Sequence, residues 1–319
     1  MQLLFITSNR IGDAVISTGI LSQLVDRHPY LSVTVACGEA AAPVFMNVPG
    51  LERIIILKKH HWIGHWFDLW RHAIRRHWDL VVDLRGSGLA FVLRAKERIR
   101  FRATLMPIHR VAQLSMAMKF DPPAPPKLWL SPEDEARAAA LVPRGTPLLA
   151  LAPTANWHGK QWPIERFIAA AKRLTAADGP LPDGRIMVVG GGGVERETAL
   201  PLLSAFEAQR VIDLLGNTDL LTAAAALRRA DLFIGNDSAP MHMAAALGVP
   251  TLGLFGPSRE IHYAPYGSHC RAVRGALSYD AIVDAPDYDR FKPVSYMTSL
   301  SIDAVVAAAL SLVKAPCAA

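Results

Sequence analysis

The chain has 319 residues, more than one hydrophobic core usually serves, and 51% are hydrophobic, so we expect two domains of about 150 residues each. No apolar run approaches the roughly 20 residues of a membrane-spanning helix, and charged residues follow the short apolar run at positions 3–6 too soon for a signal peptide. Cys37, Cys270 and Cys317 lie far apart without C-x-x-C spacing, which argues against a zinc site or disulfide framework and for a reducing cytoplasm.

The net charge of +6 is unevenly distributed along the chain. Residues 1–130 hold 17 Lys and Arg against 9 Asp and Glu, whereas the remainder holds 17 against 19. Seven of the eleven histidines also lie in the first part. This asymmetry predicts that the N-terminal half is attracted to an anionic partner, which can be nucleic acid, a phosphorylated glycolipid or an acidic membrane surface.

Strand and helix patterns alternate through the first half, which favours a parallel sheet covered by helices. We predict strands at 3–7, 32–36, 53–57, 79–84 and 98–102, and helices at 14–27, 62–77 and 110–118. The proline-rich stretch from Asp121 to Lys127 is predicted to be a stiff extended linker, because proline is excluded from helix interiors and central strands.

The second half repeats this alternation. We predict strands at 148–152, 185–190, 211–214, 232–235 and 251–255, and helices at 164–176, 194–208, 219–229 and 240–247. Residues 301–314 form a last predicted helix that can pack back on the first domain. The predicted fold class is therefore α/β, with a domain at 1–126, a domain at 127–319 and a ligand cleft between them.

The most informative segment runs from Phe233 to Pro257. It reads as a buried strand, a polar turn at Asn236–Ser238, a small-residue helix and a second buried strand. If Ser238 caps the helix, its first backbone N–H groups point out of the carboxyl edge of the sheet, where they favour phosphate. His242 lies one turn further and can add a donor. The alternative is an ordinary βαβ crossover.

Asp13 follows the first predicted strand, in the turn Ser8-Asn-Arg-Ile-Gly-Asp-Ala14. Gly12 permits a tight turn, and Asp13 is expected at the carboxyl edge of the sheet, where open α/β sheets bind ligands. The alternative is that Asp13 only caps its helix.

Two further loops carry candidate residues. Lys160 precedes a predicted helix and offers a cation that can follow charge developing on a diphosphate, although a solvated surface lysine is the alternative. Trp162 is interpreted as a packing residue. The glycines at 190–193 do not form G-x-G-x-x-G, because Glu195 stands where the third glycine belongs, but they still permit close approach of a ligand.

The order and spacing of four segments resemble glycosyltransferase family 9, the bacterial lipopolysaccharide heptosyltransferases, over nearly the whole chain. They are Arg10-Ile-Gly-Asp-Ala14, Lys160-Gln-Trp-Pro163, Val189-Gly-Gly-Gly-Gly-Val-Glu195 and Asp237-Ser-Ala-Pro-Met-His242. The resemblance implies a GT-B architecture, in which two Rossmann-like domains face each other across a cleft. It also implies inverting transfer of heptose from ADP-heptose to the lipid A–Kdo inner core.

The resemblance assigns roles to individual residues. Asp13 would be the general base, Lys160 would stabilise the leaving diphosphate, and Glu195 would bind ribose hydroxyls, with a helix-dipole contact as its alternative. Donor-side contacts would come from Asp237, the N–H groups near Ser238 and Ala239, His242, Thr154 and Asn156. Two positions depart from the family pattern. The family usually has threonine at the position of Ser238 and glycine at the position of Ala239. The methyl group of Ala239 limits how closely a diphosphate can approach the backbone there.

Tryptophans and cations alternate in the predicted helix at 62–77. Its apolar stripe indicates packing on the N-terminal sheet. Its three tryptophans, with Trp78 directly after it as a fourth, also suit a lipid headgroup boundary. The surrounding cations are a candidate surface for phosphorylated lipid A. They include Arg71, Arg75 and Arg76, with Arg94, Lys96, Arg98, Arg100 and Arg102 further along.

The leading hypothesis is thus an inverting glycosyltransferase at the cytoplasmic face of the inner membrane, in peripheral contact with it. We expect no cofactor and no metal, because no D-x-D pair stands in a suitable loop. The substrates would be a nucleotide sugar and an anionic glycolipid. Alternatives are a relative with another donor or acceptor, such as O-antigen or protein, a GT-B sugar-nucleotide epimerase, or a basic nucleic-acid-binding protein. The last is disfavoured because no nucleic-acid-binding motif is recognisable.

Overall fold

The structure is a computed structural model that describes residues 1–58, 64–104 and 106–313, with the backbone alone at 64–68. The chain divides into two compact units, Met1–Trp129 and Leu130–Ala319. Each unit holds one entirely parallel sheet, as the alternating pattern predicts. Among the helices of the described ranges, none is long and apolar enough to cross a membrane.

The N-terminal unit contains a five-stranded sheet in the order β3-β2-β1-β4-β5. Its strands are β1 (Gln2–Ile6), β2 (Ser32–Cys37), β3 (Leu51–Ile56), β4 (Trp78–Asp83) and β5 (Ala95–Arg100). Its helices are α1 (Ile11–Arg27), α2 (Gly64–Ala73), α3 (Leu89–Val92) and α4 (Arg110–Ala117), with a 3-10 helix at Glu39–Phe45. All five predicted strands are present, and β1, with four of its five residues buried, lies at the centre.

The predicted helix at 62–77 is wrong at its end. Helix α2 stops at Ala73, and Trp78 begins β4 as a buried residue whose indole N–H donates to the Ala73 carbonyl at 3.0 Å. Trp62 and the side chain of Trp66 lie outside the described residues. One of the four tryptophans, Trp78, is therefore a core residue of the N-terminal sheet.

The proline-rich stretch is extended, but it is not a linker between the two units. The backbone N–H of Ala124 donates to Ser115 Oγ at 2.9 Å, and that of Lys127 donates to Thr18 Oγ1 at 2.9 Å. A Cβ at Gly19 would lie 2.2 Å from the Ala124 carbonyl oxygen. The stretch therefore packs against α1 inside the N-terminal unit.

The C-terminal unit contains a six-stranded sheet in the order β11-β10-β9-β6-β7-β8. Its strands are β6 (Leu148–Ala152), β7 (Arg185–Val188), β8 (Val211–Asp213), β9 (Leu232–Asn236), β10 (Thr251–Phe255) and β11 (Cys270–Arg274). Its helices are α5 (Pro132–Leu141), α6 (Ile164–Leu174), α7 (Val194–Leu203), α8 (Leu220–Leu227), α9 (Ala239–Ala246), α10 (Glu260–Tyr263), α11 (Tyr279–Val283) and α12 (Ile302–Val313).

The predictions omit three helices and one strand of this unit: α5, α10, α11 and β11. Helix α5 carries a complete capping box, in which Ser131 and Asp134 bond each other's backbone N–H groups, and Pro132 occupies its first turn. Strand β11 escapes the pattern because two of its five residues are arginines. The last helix, α12, contributes Val305, Ala309 and Leu312 to the core of this unit, and its packing on the N-terminal domain stays a prediction.

Candidate active site

The loops that follow the strands of the C-terminal sheet all leave from its carboxyl edge, because every strand is parallel. This edge is where open α/β sheets bind ligands. The order of the central strands brings the loops after β6 and β9 side by side. They carry most of the C-terminal residues that the sequence selects.

Lys160 and Asp237 form an ion pair across these two loops. The Lys160 ammonium lies 2.5 Å from Asp237 Oδ2, and the side chains are 23% and 8% exposed. His242 Nε2 lies 3.8 Å from the other carboxylate oxygen, Oδ1. Lys160 is therefore neither a solvated surface lysine nor an isolated cation, since the buried carboxylate of Asp237 holds its position.

The start of α9 departs from its predicted cap. Ser238 occupies the N-cap position but makes no side-chain capping bond, and its Oγ is buried without a hydrogen-bond partner. Helix α9 begins at Ala239, and Pro240 in its first turn has no N–H to offer. The N–H groups of Ala239 and Met241, together with the Ser238 hydroxyl, remain suited to an anionic ligand.

Glu195 organises the glycine-rich loop after β7. Its Oε2 accepts a hydrogen bond from Thr154 Oγ1 at 2.7 Å and another from the Gly191 N–H at 3.0 Å. A Cβ at Gly190 would lie 3.0 Å from Thr154 Oγ1, so the absent side chain permits this approach. The second oxygen of Glu195 stays available to a ligand's hydroxyl groups. Asn156 is exposed at the same edge.

Asn236 is a positioning residue that the sequence reasoning did not select. Its side chain is fully buried, its Oδ1 accepts from the Trp162 N–H at 3.0 Å, and its Nδ2 donates to the Pro153 carbonyl at 2.7 Å. These bonds clamp both ends of the loop that carries Lys160. The sequence carries one signal for this role, a polar residue at the end of an otherwise apolar strand. Trp162 packs edge-on against Phe167, which confirms its interpretation as a packing residue.

We expect Asn236→Ala to destabilise the protein by about 1–3 kcal/mol, because two buried backbone groups lose their partner. Urea unfolding measures this change. Asn156→Ala is the matched control on the same edge, and its effect should stay within about 0.5 kcal/mol because Asn156 is exposed. Equal effects of the two substitutions would contradict the clamp.

An aromatic cluster supports the same loop from outside. Tyr296 donates its backbone N–H to the Gly159 carbonyl at 3.2 Å, and its ring centroid lies 6.5 Å from that of Trp157. A Cβ at Gly159 would lie 2.6 Å from Trp157 and 2.9 Å from Tyr296. Close packing around Gly159 therefore excludes a larger side chain next to Lys160. The amino-acid sequence alone does not reveal this requirement.

In the N-terminal unit, Asp13 lies in the first turn of α1, near the carboxyl end of β1. The predicted alternative, a helix cap, is wrong: the N-cap residue is Arg10, and Asp13 Oδ2 instead faces Ser8 Oγ at 3.4 Å. Gly12 is part of the helix and does not form a tight turn. Asp13 is half-buried, and its long bond to one hydroxyl leaves carboxylate lone pairs for a substrate.

The three arginines selected as acceptor-binding residues differ in their surroundings. Arg71 and Arg75 are exposed. Arg76 instead makes a bidentate pair with Glu52, with N–O distances of 2.7 and 2.6 Å. Their contact with an acceptor stays a prediction, for which Arg71 and Arg75 are the more accessible candidates. Lys59, His60 and His61, which the sequence pattern adds to the same predicted basic surface, lie outside the described residues.

The Glu52–Arg76 pair predicts a pH dependence of stability. Hydrogen bonds from Arg76 and then Ser32 lower the pKa of Glu52 from 4.5 to about 2, so the pair stabilises the fold above pH 4.5 and loses its effect as the pH falls towards 2. Because both side chains are about one-third exposed, Glu52→Gln should cost only about 1 kcal/mol at pH 7. Unfolding free energies should show this difference shrinking between pH 5 and pH 2, and a constant difference would contradict the assignment.

Within the described residues, no cluster of three or more His, Cys, Asp or Glu side chains is suited to hold a metal ion. The D-x-D sequence at Asp287-Tyr288-Asp289 lies in a loop, where Asp289 Oδ1 accepts a hydrogen bond from the Phe291 N–H. Lys160 contributes a positive charge at the carboxyl edge of the C-terminal sheet.

Two Rossmann-like units in one chain are the architecture of the GT-B class of glycosyltransferases. A family model for glycosyltransferase family 9 (heptosyltransferase) matches residues 83–288, which is more than half of the chain. The chain therefore belongs to glycosyltransferase family 9, and it is a glycosyltransferase. The family resemblance and the fold class expected from the sequence are confirmed.

Similar proteins extend over nearly the full length. Lipopolysaccharide heptosyltransferase 2 of Salmonella typhimurium is 22% identical over 322 residues, covering 88% of this chain and 90% of the relative. Lipopolysaccharide heptosyltransferase 1 of Pseudomonas aeruginosa is 26% identical over 303 residues, covering 84% and 82%. The solved structure of a family 9 glycosyl transferase from Veillonella parvula shares the fold with a TM-score of 0.81 at 21% identity, covering 98% of this chain and 97% of that one.

Proposed function

We propose that this enzyme transfers heptose from ADP-heptose to the inner core of lipopolysaccharide, with inversion at the anomeric carbon. The observation that supports the proposal is the Lys160–Asp237 pair beside the start of α9, because a cation next to unsatisfied backbone donors is suited to a diphosphate. The names of the two relatives, both lipopolysaccharide heptosyltransferases, support heptose as the transferred sugar and lipopolysaccharide as the acceptor. ADP-heptose as the donor is what the family resemblance implies.

The proposed reaction is a single displacement. The acceptor hydroxyl gives its proton to Asp13 while its oxygen attacks the anomeric carbon of heptose. The bond from that carbon to the phosphate oxygen breaks, and ADP departs with the electron pair. Asp13 serves as the base because half-burial and a long hydrogen bond preserve its acceptor capacity.

Residues of the C-terminal unit would hold the donor. Lys160 would neutralise the charge that develops on the departing diphosphate, and the N–H groups and hydroxyl at Ser238 and Ala239 would bind its oxygens. Asp237 would orient Lys160 and bind the donor sugar, with His242 beside it. Glu195 would accept hydrogen bonds from ribose hydroxyls. Thr154, which donates a hydrogen bond to Glu195, and the exposed Asn156 would complete the contacts with the phosphates of the donor.

No cofactor is required by this proposal, since Lys160 supplies the charge that a metal supplies elsewhere. The acceptor would be an anionic glycolipid, bound with help from Arg71 and Arg75. We accordingly propose that the enzyme works in the cytoplasm, in peripheral contact with the inner membrane, and that nucleic acid is not a partner.

A thermal-shift screen against ADP-, GDP-, UDP- and dTDP-sugars tests the donor. ADP-heptose should raise the melting temperature most, because binding to the folded state stabilises it. A larger shift with another nucleotide sugar would favour a family relative with a different donor. Consumption of the donor without any acceptor would favour an epimerase.

A further inference from the structure

Helix α3 is divided sharply between core and solvent. Leu89, Ala90 and Leu93 are buried in the core of the N-terminal unit. Phe91 and Val92, between them in sequence, are 66% and 56% exposed. Two adjacent large apolar side chains are thus mostly exposed to solvent, which is typical of a contact surface.

Two arginines of the edge strand β5 hold this apolar tip in place. Arg98 donates from Nε to the Ala90 carbonyl at 2.9 Å and from Nη2 to the Leu93 carbonyl at 2.8 Å. Arg100 donates from Nε to the Gly86 carbonyl at 2.9 Å, and its guanidinium lies 5.8 Å from the Phe91 ring centroid. These bonds satisfy one carbonyl within α3 and one on either side of it, and so hold the tip in place.

The surroundings of the tip are basic. Arg94 and Arg102 are exposed on either side of β5, and the exposed Lys96 pairs with Asp79 at 2.6 Å. Glu97 is the one acidic residue among positions 91–102. The tip also belongs to the part of the chain with 17 Lys and Arg against 9 Asp and Glu. An apolar projection flanked in sequence by exposed arginines is complementary to an anionic bilayer surface.

We propose that Phe91 and Val92 insert into the interface of an anionic lipid bilayer while the neighbouring cations contact its headgroups. The inference rests on the proposed function, since a lipid-linked acceptor brings the enzyme to a membrane. It assigns Arg98 and Arg100 to bracing the tip, in place of the lipid A contact predicted for them from sequence.

Vesicle co-sedimentation tests the tip directly. The full chain should bind vesicles of phosphatidylcholine with phosphatidylglycerol more tightly than vesicles of phosphatidylcholine alone. Phe91→Ser combined with Val92→Ser should weaken binding to the anionic vesicles about tenfold, because burial of these side chains is lost. Phe91→Leu should retain most of the binding, since an apolar side chain is kept. Unfolding temperatures should be unchanged, because both residues are exposed.

Phe291→Ser is the matched control. Phe291 is 92% exposed in the C-terminal unit and lies between Arg290 and Lys292, but Asp287 and Asp289 are close in sequence. Its substitution should leave vesicle binding unchanged. Equal binding by the wild type and the Phe91/Val92 double variant, or a loss caused only by Phe291→Ser, would overturn the proposal. So would gel filtration showing a wild-type dimer that the double variant abolishes.

A transfer assay with a water-soluble, deacylated acceptor separates this proposal from the proposed function. The double variant should transfer heptose to that acceptor at the wild-type rate while binding vesicles weakly. If neither protein transfers heptose, the proposed function fails, and the vesicle measurement still decides whether the tip binds membranes.

Discussion

Replacement of Asp13 by Asn should lower kcat by about 10²–10⁴-fold, the range typical of removing a general base. The two side chains have nearly the same shape, so the fold should be preserved. Affinity for ADP-heptose should also be unchanged, because the proposed donor contacts all come from the C-terminal unit. Steady-state rates and calorimetric titration of the donor measure the two effects separately.

A matched substitution on the same helix gives a second test of Asp13. Asp26→Asn, at an exposed position near the other end of α1, removes the same charge and should keep the wild-type kcat. A general base acts from one position, so only Asp13→Asn should lower kcat. Loss of donor binding together with activity would instead make Asp13 a structural residue.

Lys160→Met should lower kcat by about 10²–10³-fold, as expected when one electrostatic stabiliser of a developing charge is removed. The substitution also leaves the buried carboxylate of Asp237 without its cation, which should reduce stability. Both effects follow from the same ion pair, and a second substitution distinguishes them.

The double variant Lys160→Met with Asp237→Asn removes the unpaired buried charge. Its unfolding free energy should recover towards the wild-type value, whereas its rate should stay low because the diphosphate still lacks its cation. Lys172→Met, at an exposed position on α6, should change neither quantity. Recovery of activity in the double variant would show that Lys160 serves only to neutralise Asp237.

Apolar runs such as Leu148–Ala152 and Leu232–Asn236 made the sheets predictable, because strands buried on both faces read as continuous hydrophobic segments. Their parallel pairing then placed Lys160 and Asp237 at one edge without knowledge of any contact. Strand β11 and helix α3 were missed because short or charged elements lack this signal.

Pairwise contacts were not predictable to the same extent. The bonds of Asn236 to Trp162 and Pro153 join residues more than seventy positions apart, and only the packed loops reveal them. Ser238 occupies the expected position without making the expected capping bond. In the sequence Arg76 resembles any other surface cation, and only the structure shows that it pairs with Glu52. Residue type and position predict a role, while the partner depends on tertiary packing.

Mass spectrometry of the complete reaction tests the central claim most directly. The purified enzyme is mixed with ADP-heptose and a lipid A–Kdo acceptor, and both products are measured with Asp13→Asn as the control. The proposal predicts one added heptosyl group per acceptor, an equal amount of released ADP, and almost no product from the variant. Donor turnover that yields no glycosylated acceptor, or equal product from both proteins, would contradict it.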